Sequence, residues 1–303
     1  MINKVPPGEL WIVCDADTKE WIYYAQGDAL TDEGIDTEDE YKVIVQLPGC
    51  VRGSKRGVAN VHGFSGAIGI RYDYSAPVGS GRNRFVPVAS PARDLYGSVL
   101  KSVQRVSNAV VRIVERWSPE FKKDLQTQRE YLSKILPVGG TACHTFPVAN
   151  VGIQGAYAVH KDKRDIRNTL WASLKTGGIT FPAYRHCLIL GAGDVLCFNG
   201  KDHWHASMSF PCAVNEIPHL PSELQHSVIA LYYQSQQDSY LRNEYNRNNL
   251  DAQLDADGNV AEPGDALHDD DVLRNLSAYE LERLARIARN RREVESRGGI
   301  VSV

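Results

Sequence analysis

The sequence contains no Cys-x-x-Cys pair. Its six cysteines, Cys14, Cys50, Cys143, Cys187, Cys197 and Cys212, are scattered along the chain, which argues against a zinc site built from paired thiolates. Cys187 and Cys197 lie in apolar runs and are expected as buried thiols rather than disulfides. No apolar run reaches the ~18 residues needed to cross a bilayer. The opening Met1-Ile-Asn-Lys-Val-Pro-Pro does not read as a secretory signal. An intracellular protein with no membrane partner is therefore expected. Neither sign of charge dominates: 34 Lys and Arg stand against 37 Asp and Glu, a net −3. That excludes a generally basic nucleic-acid coat, although a local basic groove remains compatible with it. Internal repeats are also missing.

What is present is apolar material: 43% of 303 residues are hydrophobic, enough for one large domain or two modest ones. Residues 1–90 read as a β-rich N-terminal extension, with β-prone runs at Leu10-Trp-Ile-Val, Trp21-Ile-Tyr-Tyr and Tyr41-Lys-Val-Ile-Val-Gln-Leu. An acidic loop is expected from Asp32 to Glu40. Two basic glycine-rich stretches, Arg52 to Gly57 and Gly79 to Arg84, read as solvated loops with phosphate contact as the alternative.

Residues 91–137 read as two supporting helices. Leu95, Val99, Val103, Val106, Val110, Ile113 and Trp117 recur at three- and four-residue steps. Ser118-Pro119-Glu120 then supplies an N-cap, a proline at the first helical position and an early acid. Phe121, Leu125, Leu132 and Leu136 mark the second helix's buried face. The basic side chains Lys101, Arg105, Arg112, Lys122 and Lys123 read as a solvated face, with DNA contact as the alternative.

Residues 138–249 alternate short apolar runs with glycine turns, in the manner of an antiparallel sandwich or roll. The fold expected is α+β: a double-stranded β-helix core (jelly-roll, cupin-like) with flanking helices. Residues 250–303 read as an acidic linker from Asp251 to Asp271 and a C-terminal helix opened by a capping box at Ser277-Ala-Tyr-Glu280. Asp255-Ala-Asp257-Gly258 lacks the remaining spacing of a calcium loop.

The candidate chemistry lies between Ala156 and Ser209. His160 and Asp162 are two apart, so on a strand an imidazole and a carboxylate face the same side. A further histidine follows the apolar run Val195-Leu-Cys-Phe198. Two histidines and one carboxylate on one face of an ion, with the other face open, form the facial triad of non-haem Fe(II) oxygenases. His205 is the preferred third ligand, because Ala206-Ser207 after it leaves room beside a substrate. His203, on the same strand face in this reading, is the alternative ligand or an orienting partner.

His160-x-Asp162, Gly177-Gly178, Gly193-Asp194-Val195 and His205, followed by a strand ending Tyr232-Tyr233-Gln234, resemble the TET/JBP-type 2-oxoglutarate- and Fe(II)-dependent dioxygenases. The resemblance covers about residues 145–235. It implies that His160, Asp162 and His205 hold Fe(II), that 2-oxoglutarate chelates the iron, and that O₂ takes the remaining position. It further implies oxidation of a methylated pyrimidine, 5-methylcytosine or thymine, flipped out of DNA. A nuclear location would follow for a eukaryotic DNA-modifying enzyme.

Two departures from that pattern stand out. The family anchors the remote carboxylate of 2-oxoglutarate with an arginine beyond the second histidine, but no arginine occurs between Arg185 and Arg242. His226, with Ser227 beside it, falls roughly where that arginine would be. Arg185 or Lys201 are the substitutes, since a carboxylate needs a donor fork or an ammonium. A relative that takes ascorbate is similar in lacking the arginine. The family's base-reading asparagine is here Asp165, with Asn168 further on. The competing readings are an Fe(II) oxygenase acting on a small molecule or a protein side chain, and a non-catalytic β-helix that binds a partner.

Overall fold

In the computed structural model the chain divides into two compact units, Met1–Asn248 and Asn249–Val303. The structure describes residues 2–15, 18, 20–51, 60–72, 85–88, 92–136, 140–165, 168–208 and 224–234, with single positions 219, 221 and 239. The two basic loops, Cys212, most of the expected helix over 237–249, the acidic stretch and the capping-box helix lie outside the described residues.

The architecture is α+β, with helices on one face of a large antiparallel sheet and a smaller mixed sheet on its other face. In chain order the elements are β1 (Ile2–Lys4), β2 (Leu10–Cys14), β3 (Trp21–Gln26), α1 (Ala29–Asp32), α2 (Thr37–Ile44), β4 (Asn60–Tyr72), β5 (Phe85–Pro87), α3 (Arg93–Trp117), α4 (Pro119–Ile135), β6 (Val148–Tyr157), β7 (Thr169–Ser173), β8 (Gly177–Phe181), β9 (His186–Leu190), β10 (Val195–Phe198), β11 (Ala206–Met208) and β12 (Ser227–Leu231). The large sheet runs β2-β3-β10-β7-β12-β6-β4-β5 and the small one β1-β9-β8-β11. Strands from residues 1–90 are thus hydrogen-bonded directly to strands from the second half of the chain.

The period of two along each strand separates two cores. On β10, Val195 and Cys197 face the helices, while Leu196 and Phe198 face the small sheet. Leu170 and Ala172 on β7, and Ile229 and Leu231 on β12, join Val99, Val103, Val106 and Val110 of α3 in the helix-side core. Trp171 and Val228 turn instead toward Ile179, Phe181, Leu188 and Leu190 between the sheets. Covered on both faces, these strands read as nearly continuous apolar runs. Ser118 Oγ accepts from the Glu120 amide at 3.1 Å and caps α4 as the sequence suggested.

The β-prone reading of Tyr41–Leu47 is overturned, because α2 occupies Thr37–Ile44. Asp36 decides it: its carboxylate accepts from the amides of Glu38 and Asp39 at 2.9 and 3.1 Å, which starts a helix on what looked like an acidic loop. Tyr41 and Ile44, three apart, then share the buried face. Arg105 and Arg112 lie on a solvated face, as expected, and are ion-paired there. Arg105 grips Glu40 of α2 at 2.8 and 2.9 Å, and Arg112 and Arg116 grip Glu33. The long strand β4 was not expected from its sequence. Its Gly69 has φ +106°, and a Cβ there would sit 2.4 Å from the Pro147 carbonyl oxygen, so only glycine lets β4 lie this close to β6.

Candidate metal centre

His160 follows β6, and His205 immediately precedes β11. Their backbones form an antiparallel bridge, with amide-to-carbonyl distances of 2.9 Å from His160 to His205 and 3.0 Å in return. The bridge brings the two rings to 4.4 Å between centroids. Asp162 is fixed by its own amide, which donates to the Gly200 carbonyl at 2.8 Å. A Cβ on Gly200 would lie 2.9 Å from Asp162 Oδ2, so the glycine leaves the carboxylate its place.

One ligand atom from each of His160, Asp162 and His205 lies within 4.8 Å of the others. The proton positions follow from the partners. His160 Nδ1 is 2.7 Å from the Ala158 carbonyl, and His205 Nδ1 is 3.0 Å from the His203 carbonyl. A carbonyl only accepts, so each Nδ1 carries a hydrogen, and in the neutral ring Nε2 then presents the lone pair. Those lone pairs face the Asp162 oxygens at 3.7 Å and 3.4 Å. Three acceptors that converge with no hydrogen between them repel one another, and a cation among them relieves the repulsion. Two imidazoles and one carboxylate, oriented by backbone carbonyls, fit Fe(II) with open positions. Phe198 packs edge-on against His205 at 4.8 Å, burying it, while His160 and Asp162 stay about one-third exposed, so the centre opens to solvent on their side.

His203 is not part of this group. Its ring turns away to the Tyr184 hydroxyl, 2.8 Å from Nδ1, and only its carbonyl serves His205. The expectation that His203 and His205 share a strand face fails because His203 closes a turn, its amide donating to Asn199.

Arg185 and His226 lie at opposite ends of β8. Arg185 is exposed at the end of the helical turn Pro182–Tyr184, with φ +54°, and Lys201 is exposed as well. His226 is buried against Gly177 at the other end, where a Cβ on the glycine would fall 2.0 Å from His226 Nδ1. Nδ1 faces the Thr176 carbonyl at 3.2 Å, while His226 Nε2 is buried with no hydrogen-bond partner. Such an orphaned polar atom is what a ligand's polar end would satisfy. Ser227 does not join it: it pairs with Ile153 and shares the face of Ile229 and Leu231, so its side chain points to the helix-side core.

Burial drives the His226 pKa down to about 4. The sign follows from linkage. The folded chain holds fewer protons here than the unfolded one, so stability falls as pH drops from about 6.5 toward 4. The full effect is about 3 kcal/mol. The His226→Gln variant is expected to lose this acid-side decline, which urea unfolding of the metal-free protein at pH 7 and pH 5 would reveal.

Asp165 sits behind the metal ligands, its amide donating to the Asp162 carbonyl at 2.8 Å and its backbone bridging Gln234. Burial, and then the Asp162 carboxylate, push it up to about 8. A carboxyl raised that far is available as a hydroxyl donor near neutral pH. Asn168 is half-buried just before β7. Sequence reasoning also missed the rim. Val159 and Trp204, which flank the His160–His205 bridge, are 50% and 45% exposed, and Lys161 Nζ lies 5.6 Å above the Trp204 ring.

No protein-family model matches the sequence, and no curated protein matches it. Among solved structures the chain is similar to NgTET1 in complex with 5mC DNA, at 15% identity over 81% of this chain and 90% of that one, with a TM-score of 0.44. It is also similar to the viral collagen prolyl hydroxylase of Paramecium Bursaria Chlorella virus-1, a 2OG complex, at 13% identity, 73% and 97% coverage and a TM-score of 0.30. A Pseudomonas putida prolyl-4-hydroxylase follows at 10% identity, 70% and 92% coverage and a TM-score of 0.30. At these levels the assignment is left to the site's own geometry.

Proposed function

We propose that this chain is a non-haem Fe(II)-dependent dioxygenase that uses 2-oxoglutarate and O₂ to oxidise a methylated pyrimidine, 5-methylcytosine or thymine, in DNA. The observation that carries the oxygenase reading is the convergence of His160 Nε2, Asp162 and His205 Nε2 with both imidazole protons held on the far nitrogens. A double-stranded β-helix core over 138–249 goes with it. After β6 the chain passes to β7 in the large sheet, β8 and β9 in the small one, β10 in the large, β11 in the small and β12 in the large. The helices of 91–137 brace that core, and of the strands in 1–90, β2 to β5 extend its larger sheet while β1 extends the smaller.

In this mechanism His160, Asp162 and His205 would hold the iron, and His226 would take the remote end of the co-substrate. The bound iron and co-substrate supply, with O₂, an oxidant strong enough to remove hydrogen from a methyl group. The protein's own part is positional. The Ala158 and His203 carbonyls keep both histidines in the ligating tautomer, Phe198 shields His205 from water, and Gly200 leaves the carboxylate its place. Asp165, as a hydroxyl donor, and Asn168 are the candidate contacts to the base.

The rim supports DNA over a small-molecule substrate. Lys161, Lys163, Arg164 and Lys201 are unburied on the two segments that carry the ligands, against exposed Asp202. Cations beside an exposed indole suit phosphates and a stacked base. Trp204→Ala is expected to weaken binding of a single-stranded oligonucleotide roughly 5- to 100-fold, measured by fluorescence anisotropy. The function itself is tested by incubating the protein with Fe(II), 2-oxoglutarate and 5-methylcytosine or thymine DNA, followed by nucleoside mass spectrometry. A new oxidised nucleoside is expected, and its absence would remove the DNA assignment.

A further inference from the structure

The small sheet shows where His226 stands relative to the metal ligands. Ser207 pairs with Ile179, and Ala206 with Thr180, so His205 falls opposite Phe181. Phe181 and Ile179 face the space between the sheets, and Gly177, Ser207 and His205 share that face through the period of two. His226 lies over Gly177. The ladder thus separates His205 from His226 by about four strand residues, on the order of 13 Å, along one inter-sheet face.

The groups around His226 are neutral. β6 contributes Gln154, whose amide donates to the His226 carbonyl at 2.9 Å and whose Oε1 accepts from the His226 amide. β8 contributes Gly177, and the preceding turn contributes the Thr176 carbonyl. β12 contributes Val228, whereas Ser227 points to the opposite face of the sheet. Lys175, two residues before Gly177, is turned to Glu38 of α2 and the Tyr41 ring. Burial lowers the His226 pKa, the Thr176 carbonyl works against it, and no charged side chain contributes.

With Nδ1–H directed at Thr176, neutral His226 offers only an acceptor at Nε2. A carboxylate is also an acceptor and needs a donor opposite it. We propose that 2-oxoglutarate enters this site together with one proton from solvent, taken up at His226 Nε2, so that an imidazolium holds the remote carboxylate. This rests on the oxygenase reading above and adds a pH-sensitive step to it: co-substrate loading weakens as the medium becomes more alkaline.

The test is calorimetry on the Mn(II)-loaded protein. Binding of 2-oxoglutarate is measured in two buffers of different ionisation heat, beside 2-oxobutanoate, which keeps the keto-acid head and lacks the second carboxylate. Uptake of close to one proton is expected for 2-oxoglutarate beyond that for 2-oxobutanoate. The affinity for 2-oxoglutarate relative to 2-oxobutanoate should fall about tenfold per pH unit between 6.5 and 8. His226→Gln should bind 2-oxoglutarate more weakly and lose that slope, and if the variant fails to fold, the proton count on the native protein decides. Binding of 2-oxoglutarate with no extra proton, or an unchanged slope in His226→Gln, overturns the proposal and leaves the metal centre intact. Failure of both keto acids to bind the metal-loaded protein overturns the oxygenase reading as well.

Discussion

Asp162→Asn is expected to abolish turnover and lower Fe(II) affinity on the order of 10³-fold, roughly 4 kcal/mol, without destabilising the metal-free protein. The carboxylate oxygens face two imidazole lone pairs at 3.7 and 3.4 Å, so without an ion they sit in a repulsive arrangement. An amide of the same shape removes the negative charge, and its NH₂ can donate to one Nε2. The metal-free variant should therefore melt at or slightly above the native temperature, while the rise in melting temperature that Fe(II) gives the native protein disappears. Thermal unfolding with and without Fe(II) under anaerobic conditions separates the two effects. A large loss of stability in the metal-free variant would show that Asp162 is a structural group.

Gly177→Ala is expected to cost about 1–3 kcal/mol of stability and most of the affinity for 2-oxoglutarate. The added methyl would stand 2.0 and 2.2 Å from His226 Nδ1 and Cε1, which no packed pair tolerates. The ring cannot swing clear cheaply, because His226 is buried and its backbone is bonded to Gln154 in both directions. Gly178→Ala is the control: its nearest neighbours are the end of the Met208 side chain at 3.1 Å and the Leu188 carbonyl oxygen at 3.2 Å, both a full ångström farther than His226 is from Gly177, so the loss should be smaller. Melting curves give the stability term and calorimetry the affinity. Equal effects at the two glycines would mean that His226 does not depend on the space Gly177 leaves it.

The helices were legible because their signals are local. Ser118-Pro119-Glu120 marks an N-terminus on its own, and the apolar steps from Val99 to Ile113 need no partner to be recognised. His160 and Asp162 were legible for the same reason, being two apart on an extended segment. The choice between His203 and His205 was not, because it depends on a turn closed by the Asn199 carbonyl, a contact that strand periodicity cannot express. Tyr41–Leu47 misled because tyrosine, valine and isoleucine favour strands, while the helix is set upstream by Asp36. The purpose of Gly177 was hidden for a different reason. Its backbone is unexceptional, and what requires a glycine is a histidine 49 positions later in the chain. The upward push on the Asp165 carboxyl was hidden because burial is a property of the folded chain alone.

The most direct test of the account is anomalous diffraction at the iron edge from crystals loaded with Fe(II) in the absence of oxygen. One iron peak is expected among His160 Nε2, the Asp162 carboxylate and His205 Nε2, at about 2.0–2.2 Å from each, the distance range typical of such ligands. Iron bound at other residues, or none at full loading, would contradict it.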